Sequence, residues 1–291
     1  MLTIFTPTYN RANLLSRVYE SLKRQTCKDF LWLIVDDGST DDTKSLIESF
    51  IAQAEIDIRY FYQKNGGKMR AHNEGVRLCE TELFMCLDSD DYITDDAVKD
   101  IYAIWNNRQE IEHCIRHIGG IVAHKGKSEN ELLGCADFPE GVKVSTLNGL
   151  YRKGFSGETT LVFLTEALKK YPFPEFEGEK YVPEDVVYDK IDSEYELLVL
   201  PKVLTICEIV DNGYTQGAAK LRRENPNGWF VYYEQRMINT PLSVLKFKYV
   251  SHYCVFAKIL NKNVFREKQI GIVYLLLGQV GGLMLKILGK T

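Results

Sequence analysis

The segment "FMCLDSDDYITDD", residues 84 to 96, runs apolar for four positions and then meets three carboxylates, Asp88, Asp90 and Asp91. Like charge at the end of a strand-like run is unfavourable unless something positive lies beside it. A hard divalent cation is one answer, because Mg²⁺ and Mn²⁺ take oxygen ligands and use one or two carboxylates with water and substrate phosphates. A D-x-D at a strand end therefore suits a metal–diphosphate complex. Strand alternation places Asp88 and Asp90 on one side and Ser89 on the other. The acids that follow, Asp95 and Asp96 in "TDDA", read as a helix cap with negative charge in its first turn. Two further acidic pairs stand out. In "VDDGSTDDT", Asp36 and Asp37 end an apolar run, where a carboxylate can accept from the N–H of a base such as uracil. Ser39 or Thr40 is expected to cap the next helix, with Asp41 and Asp42 at its positive end. In "YVPEDVVYDKI", Pro183, Glu184 and Asp185 open a helix, and a helix start is also a good place to present a side chain into a cleft.

These clusters need a frame. "LTIFTPTY", "FLWLIVDD", "DIRYFYQK" and "LFMCLD" read as strands. "ANLLSRVYESLKRQT", with Leu14, Leu15, Val18 and Leu22 on one face, "TDDTKSLIESFIAQ" and "GGKMRAHNEGVRLCE" read as the helical segments between them. Strand and helix in alternation imply a parallel sheet with right-handed crossovers, and such sheets bind ligands beyond the carboxyl ends of their strands. All four strand ends carry polar clusters: "TPTYNR", "DDGSTDD", "NGGK" and "DSDD". After Val98 the pattern weakens into strand and loop material such as "GGIVAHKGK" and "KVSTLNGLYRKGFSGETTLVF", then a helix and strand in "EDVVYDKIDSEYELLVL".

Composition agrees with a folded α/β chain. Its 291 residues are 45% hydrophobic and 12% aromatic, which excludes disordered and collagen-like classes. Seven scattered cysteines without a C-x-x-C pair argue against a disulfide framework, and the opening "MLTIFTPTYN" lacks a signal-peptide pattern, so a cytoplasmic location is expected. The net charge of −4 is uneven. Pro241–Thr291 holds eight basic residues against Glu267, a net +7, which leaves about −11 on the remainder. No helix-turn-helix, zinc-finger or RNP pattern accompanies the basic residues, so nucleic acid is not an expected partner. His113, Cys114 and His117 have zinc-like spacing but no second pair to complete a site.

Taken in order, "TPTYNR", "VDDGSTDDT", "NGGKMRAHNEG", "CLDSDD" and "YVPEDVVYDKI" resemble the family 2 glycosyltransferases of the GT-A fold, particularly bacterial enzymes of surface-polysaccharide synthesis. The resemblance covers about residues 1–230. It implies a Rossmann-like, mostly parallel sheet flanked by helices, with a nucleotide-sugar half at 1–97, an acceptor half at 98–230 and a helical, basic and apolar extension at 231–291. It also implies a UDP-sugar donor, Mn²⁺ or Mg²⁺, and a glycan or polyprenyl-linked acceptor. Thr6, Pro7 and Tyr9 would line base and ribose, with Arg11 at the same corner. Asp37 would meet the uracil edge, Lys68 the nucleotide, Asp88 ribose and metal with Ser89 beside it, and Asp90 the metal directly. Many relatives carry Arg before the Asn of the third motif, whereas this chain has His72 before Asn73, with Arg70 two residues earlier. Asp185 matches the usual base of the acidic pair, with Glu184 shaping the acceptor pocket and inversion as the outcome. Glu158 stands where relatives have an acid near a sugar. The competing classes are a silent sugar-nucleotide-binding module, disfavoured by the intact Glu184-Asp185, and a sugar nucleotidyltransferase, whose Gly-rich N-terminal phosphate loop is missing.

Residues 269–289 form an apolar stretch with Gly271, Gly278, Gly281 and Gly282, preceded by the basic "AKILNKNVFREK". This pattern predicts peripheral contact with an anionic membrane at the inner face of the cell, and Gly278-x-x-x-Gly282 suits close helix packing. A buried helix or a homodimer contact is the alternative.

Overall fold

The computed structural model describes residues 1–112, 117–207, 218–264 and 272–287, with the side chains of Glu112, Ala218, Ile272, Lys286 and Ile287 left aside. The chain divides into two compact units. One comprises Met1–Pro172 with Val187–Val210, and the other Phe173–Val186 with Asp211–Thr291. The expected boundary at residue 230 falls inside a helix of the second unit, Pro226–Asn239. His113 and Cys114, and with them the zinc-like spacing, lie outside the described residues.

In the first unit β1 (Leu2–Thr8), β2 (Phe30–Asp36), β3 (Ile58–Tyr62) and β4 (Leu83–Cys86) alternate with α1 (Ala12–Lys23), α2 (Thr43–Gln53) and α3 (Lys68–Leu78). β5 (Asp91–Ile93), α4 (Ala97–Asn106), α5 (Gln109–Glu112) and β6 (Ile118–Ser128) come next. The short strands β7 (Glu131–Leu132), β8 (Gly134–Ala136), β9 (Val144–Ser145) and β10 (Ser156–Gly157) follow, with α6 (Leu147–Arg152) between the last two. The main elements end with β11 (Thr159–Leu164), α7 (Thr165–Lys170), α8 (Asp185–Glu194) and β12 (Glu196–Cys207). The sheet order is β3-β2-β1-β4-β11-β6-β12-β5. β1 pairs in parallel with β2 and β4, β2 with β3, and β6 with β12, while β11 runs antiparallel between β4 and β6.

β1 and β2 are buried along almost their whole length. That is why β2 reads as a continuous apolar run, "FLWLIV", rather than an alternating one, as strands covered on both faces do. α1 and α2 cover one face: Tyr19 stacks on Phe50 at 4.0 Å and both pack near Trp32. α3 reaches β1 through Gly75, where a Cβ would come within 2.4 Å of the Phe5 ring. Only glycine lets the helix sit that close.

Two local expectations give way. β4 stops at Cys86, and Asp88–Asp91 closes a turn in which Asp91 N donates to Asp88 O at 3.1 Å, so strand alternation does not govern the direction of Asp88 and Asp90. The cap of α2 shifts as well. Asp42, not Ser39 or Thr40, occupies the cap position, and the Asp41 carboxylate accepts from Thr43 N at 3.1 Å, Thr43 Oγ1 at 2.6 Å and Ala12 N at 3.2 Å. Asp41 therefore ties the starts of α1 and α2 together. α6 lies inside a stretch read as strand and loop. Its Thr146 cap accepts from Gly149 N, and Asp192 accepts from Leu147 N and Asn148 N.

The second unit holds α9 (Ala218–Glu224), α10 (Pro226–Asn239), α11 (Val244–Ile259) and α12 (Ile272–Ile287). Phe230, Tyr233, Met237, Val250, Tyr253 and Phe256 form its core. α12 packs on α11 through glycines: a Cβ on Gly278 would come within 2.5 Å of Val250, and one on Gly281 within 2.3 Å of Ser251. Both are ruled out for any larger residue without moving the helices. The glycine pattern of the tail thus serves packing within the chain.

Candidate active site

The loops that follow β1 to β4 are sewn together at one edge of the sheet. Asn10, held at φ 51, accepts from Thr40 N at 2.7 Å through its side chain, while its own N–H donates to Ser39 Oγ at 2.9 Å. Asn tolerates this left-handed conformation better than most residues. Asp37 is buried, and its carboxylate accepts from Gly66 N at 2.8 Å, Gly67 N at 2.7 Å and Gln63 Nε2 at 2.7 Å. It therefore binds the loop that begins α3, whose cap residue Gly67 has φ 95 and offers no side chain of its own. Asp36 accepts from Ser39 N at 2.7 Å and from the Tyr60 hydroxyl at 2.8 Å; burial and that bond push the Tyr60 phenol well above its ordinary range.

The acidic cluster after β4 finds its positive partners within the chain. Lys68 Nζ lies 2.8 Å from Asp88 Oδ1 and 3.0 Å from Oδ2. Lys125 Nζ lies 2.8 Å from Asp91 Oδ2, and Arg11 Nη1 is 3.8 Å from Asp90 Oδ2. Arg17 also donates to the Asp90 carbonyl. Burial works against charge on Asp88, yet Lys68 and Lys125 hold its carboxyl at about 2. For Asp91 burial wins and pushes the carboxyl up in spite of Lys125. Lys125 itself is held well above its ordinary range, because Asp91 and Asp88 outweigh its desolvation. The Cys207 thiol is pushed up by burial and hydrogen-bonds Asp91. Three carboxylates thus meet three cations, and the repulsion expected from "DSDD" is met by the fold.

Among the described residues no three His, Cys, Asp or Glu side chains gather as a metal cage. A cation here would share the substrate's oxygens, the arrangement Mg²⁺ and Mn²⁺ favour with diphosphates. Asp90 fits that role: its side chain is 29% exposed and its contact with Arg11 is long, so a cation need not break a short ion pair. Asp88 would have to yield Lys68 first.

The expected nucleotide residues divide. Pro7 is half-buried, Tyr9 is exposed and Arg11 is half-buried at the same corner. Thr6 departs from the expectation: it is fully buried and its Oγ1 accepts from Trp32 Nε1 at 3.0 Å, so its side chain belongs to the core. Ser89 is buried in the turn. Arg70 folds over Gly66, where a Cβ would meet its Cδ at 2.7 Å. His72 is buried with its ring edge-on to Phe5 and Phe84, a core setting rather than an exposed contact. Asn73 lines a cavity of about 250 Å³ with His72, Val76, Arg77, Leu168 and Tyr171. Glu158 is exposed, and its main chain bonds Leu133 and Lys125.

In the second unit Asp185, the first residue of α8, is 42% exposed, and its Oδ2 lies 2.8 Å from Arg236 Nη2. Gln235 Nε2 donates to the Asp185 carbonyl at 3.3 Å. Glu184 is half-buried beside it. The segment before the pair is anchored by Glu179, which accepts from Asn227 N at 2.8 Å and Gly228 N at 3.0 Å, and by Asn225 Oδ1, which accepts from Lys180 N and Tyr181 N. Arg17, Lys125 and Arg236 were not foreseen. Lys125 had a faint signal as a charge within an apolar strand, and Arg236 had none, because its partner lies about fifty residues away.

A sheet of this order, with acidic clusters at the ends of β2 and β4, is that of the GT-A glycosyltransferase fold. Solved structures share it. S. aureus TarS 1–349 in complex with UDP-GlcNAc superposes with a TM-score of 0.62 over 92% of this chain and 78% of that one at 18% identity. Mannosyltransferase PcManGT from Pyrobaculum calidifontis with GDP-Man and Mn²⁺ gives 0.55 over 98% and 80% at 16% identity. Residues 3–144 match the model of glycosyl transferase family 2. Chondroitin synthase of Escherichia coli is 39% identical over 99 residues, 34% of this chain and 14% of that protein. The GalNAc(5)-diNAcBac-PP-undecaprenol beta-1,3-glucosyltransferase of Campylobacter jejuni is 28% identical over 178 residues, 60% of this chain and 55% of that protein. The matches thus span from about a seventh to about half the length of these curated relatives.

Proposed function

We propose that the chain transfers a sugar from a UDP-sugar to a hydroxyl of a glycan or polyprenyl-linked acceptor in bacterial surface-polysaccharide synthesis, with inversion. The observation that carries this reading is the stitched edge at which Arg11, Asp37, Lys68, Asp88 and Asp90 come together after four strands. The UDP-GlcNAc complex of TarS and the undecaprenol-linked acceptor named for the Campylobacter relative support the choice of donor and acceptor classes.

A divalent cation at Asp90, with Asp88 beside it, would supply electrostatic stabilisation of the leaving diphosphate. Tyr9 and Pro7 flank the base and ribose, and Lys68 offers positive charge at the nucleotide. Asp185 takes the proton from the acceptor hydroxyl as its oxygen bonds the anomeric carbon and the bond from that carbon to the diphosphate oxygen breaks. One displacement gives one inversion. Arg236 holds the Asp185 carboxylate, and Glu184 borders the acceptor. Among the described residues no helix is long and apolar enough to cross a membrane. A cytoplasmic enzyme resting on the inner face of the membrane fits a lipid-linked acceptor.

Calorimetry with UDP, with and without Mn²⁺, tests the donor side. UDP affinity should fall on adding EDTA and in Asp90→Ala, and unchanged affinity in both overturns the assignment. With a UDP-sugar that the enzyme turns over, Asp185→Asn should keep donor binding and lose roughly 10²-fold or more in turnover. Turnover within a few fold of the parent removes Asp185 as the base.

A further inference from the structure

α12 has two faces. Gly278, Gly281 and Gly282 press against α11, whereas Val273, Leu276, Leu277, Val280, Leu283 and Met284 recur at helical spacing and are each 51 to 62% exposed. A continuous stripe of six large aliphatic side chains is uncommon on a free surface and marks a place of contact. The 16 described residues of the helix extend about 24 Å, short of a bilayer's hydrocarbon core of about 30 Å, and with one face taken up by α11 the stripe suits a helix lying along a membrane surface. Leu283 also forms one wall of a cleft of about 520 Å³. Among the described residues the polar lining of that cleft is two ammonium groups, Lys258 and Lys262, and the amides of Asn261, Asn263 and Gln279, with no carboxylate. Lys262 sits 3.9 Å over the Phe230 ring, which fixes its stem. The apolar stripe is thus continuous with a slot built from cationic and amide donors, the chemistry that receives a phosphate.

We propose that α12 is an interfacial anchor, its stripe immersed among acyl chains while the Lys258–Lys262 cleft takes the phosphate head group of an anionic phospholipid. This deepens the reading of a membrane-docked transferase and rests on it only for the location. Charge decides between a bilayer and a second copy of the chain. A two-fold contact would apply the same face to itself, bringing the lysine-lined slots toward each other, like charge against like, whereas an anionic surface is complementary to them. The net +7 of Pro241–Thr291 adds to that preference.

The full chain is sedimented at low salt with vesicles of phosphatidylcholine alone or with about one-third phosphatidylglycerol. The parent should partition onto the anionic vesicles alone. Lys258→Gln with Lys262→Gln should weaken that partition roughly 30-fold, about fivefold per lysine. Leu276→Glu with Val280→Glu should abolish it, without a change in thermal midpoint because both side chains already face solvent. The proposal is overturned if the parent binds neutral and anionic vesicles alike, if either double variant binds as the parent does, or if the stripe variant instead dissolves a concentration-dependent dimer. Thermal stabilisation by UDP, followed in the same samples, reports on the donor reading separately: vesicle binding without it leaves the anchor standing and removes the UDP-sugar assignment.

Discussion

Replacing Asp37 separates a carboxylate that reads a base from one that builds the site. The family resemblance assigns it to the uracil edge, yet in the fold it is buried and accepts three hydrogen bonds, two of them from the Gly66 and Gly67 N–H groups that start α3. A charge-assisted bond contributes about 1.5–3 kcal/mol, and a buried donor left without an acceptor costs about 1–3 kcal/mol. Asp37→Ala orphans two buried main-chain donors at once, so a loss of about 4 kcal/mol is expected. Asp37→Asn keeps one acceptor oxygen but turns an amide N–H₂ toward a main-chain donor, for a loss of about 2 kcal/mol. The negative charge opposite a helix N-terminus adds to both. Urea unfolding followed by tryptophan fluorescence is the assay, since Trp32 lies in the core of the same unit and pairs with Ile58 in the adjacent strand. Two variants as stable as the parent to within about 1 kcal/mol, but unable to bind UDP, would refute the structural role and return Asp37 to base recognition alone.

Three other outcomes are expected. Gly75→Ala should destabilise the first unit by about 1–3 kcal/mol in the same urea titration, because its Cβ collides with the Phe5 ring at 2.4 Å. Lys125→Met leaves Asp91 buried without its 2.8 Å partner and should cost about 3–5 kcal/mol, whereas Lys125→Met combined with Asp91→Leu should recover most of it. His252, buried against Tyr233, has its folded pKa lowered to about 4 by burial and then by Lys248 and Arg222. The unfolded chain therefore binds the extra proton first. Stability is fully present above the unfolded value near 6.5 and should fall by about 3 kcal/mol as the pH drops toward 4. His252→Phe should flatten that slope, measured by urea midpoints across the pH range.

The parts of the fold legible in the sequence are those where one local pattern decides the outcome. β2 is buried on both faces, so an unbroken apolar run marks it, and Ala12–Lys23 shows its buried Leu15, Val18 and Leu22 at helical spacing. The acidic clusters were legible as a site because they follow strands. Their partners were not. Lys68 and Asp88 are 20 residues apart, Lys125 and Asp91 are 34 apart, and nothing local says which cation meets which acid. Thr6 illustrates the opposite failure: its motif places it at the ligand, but strand register turns its hydroxyl to Trp32. The capping of α2 by Asp42 with Asp41 beneath it was misread because four cap-competent residues stand in a row, and a contact with Ala12 of another helix decides among them.

The second unit takes one of its pieces, Phe173–Val186, from the middle of the chain and the rest from its end. This has a consequence for synthesis. The segment bearing Glu184 and Asp185 leaves the ribosome about fifty residues before Gln235 and Arg236, which hold it, and earlier still than α11, which completes their core. At roughly 5–20 residues per second the nascent chain spends several seconds with its acidic pair unsecured. Glu179 waits in the same way for Asn227 and Gly228. Both anchors thus come from a later part of the chain, and any stop that removes α10 and α11 takes away the hold on Asp185. The order of translation thus sets Asp185, the proposed base, in place only after α10 has been made.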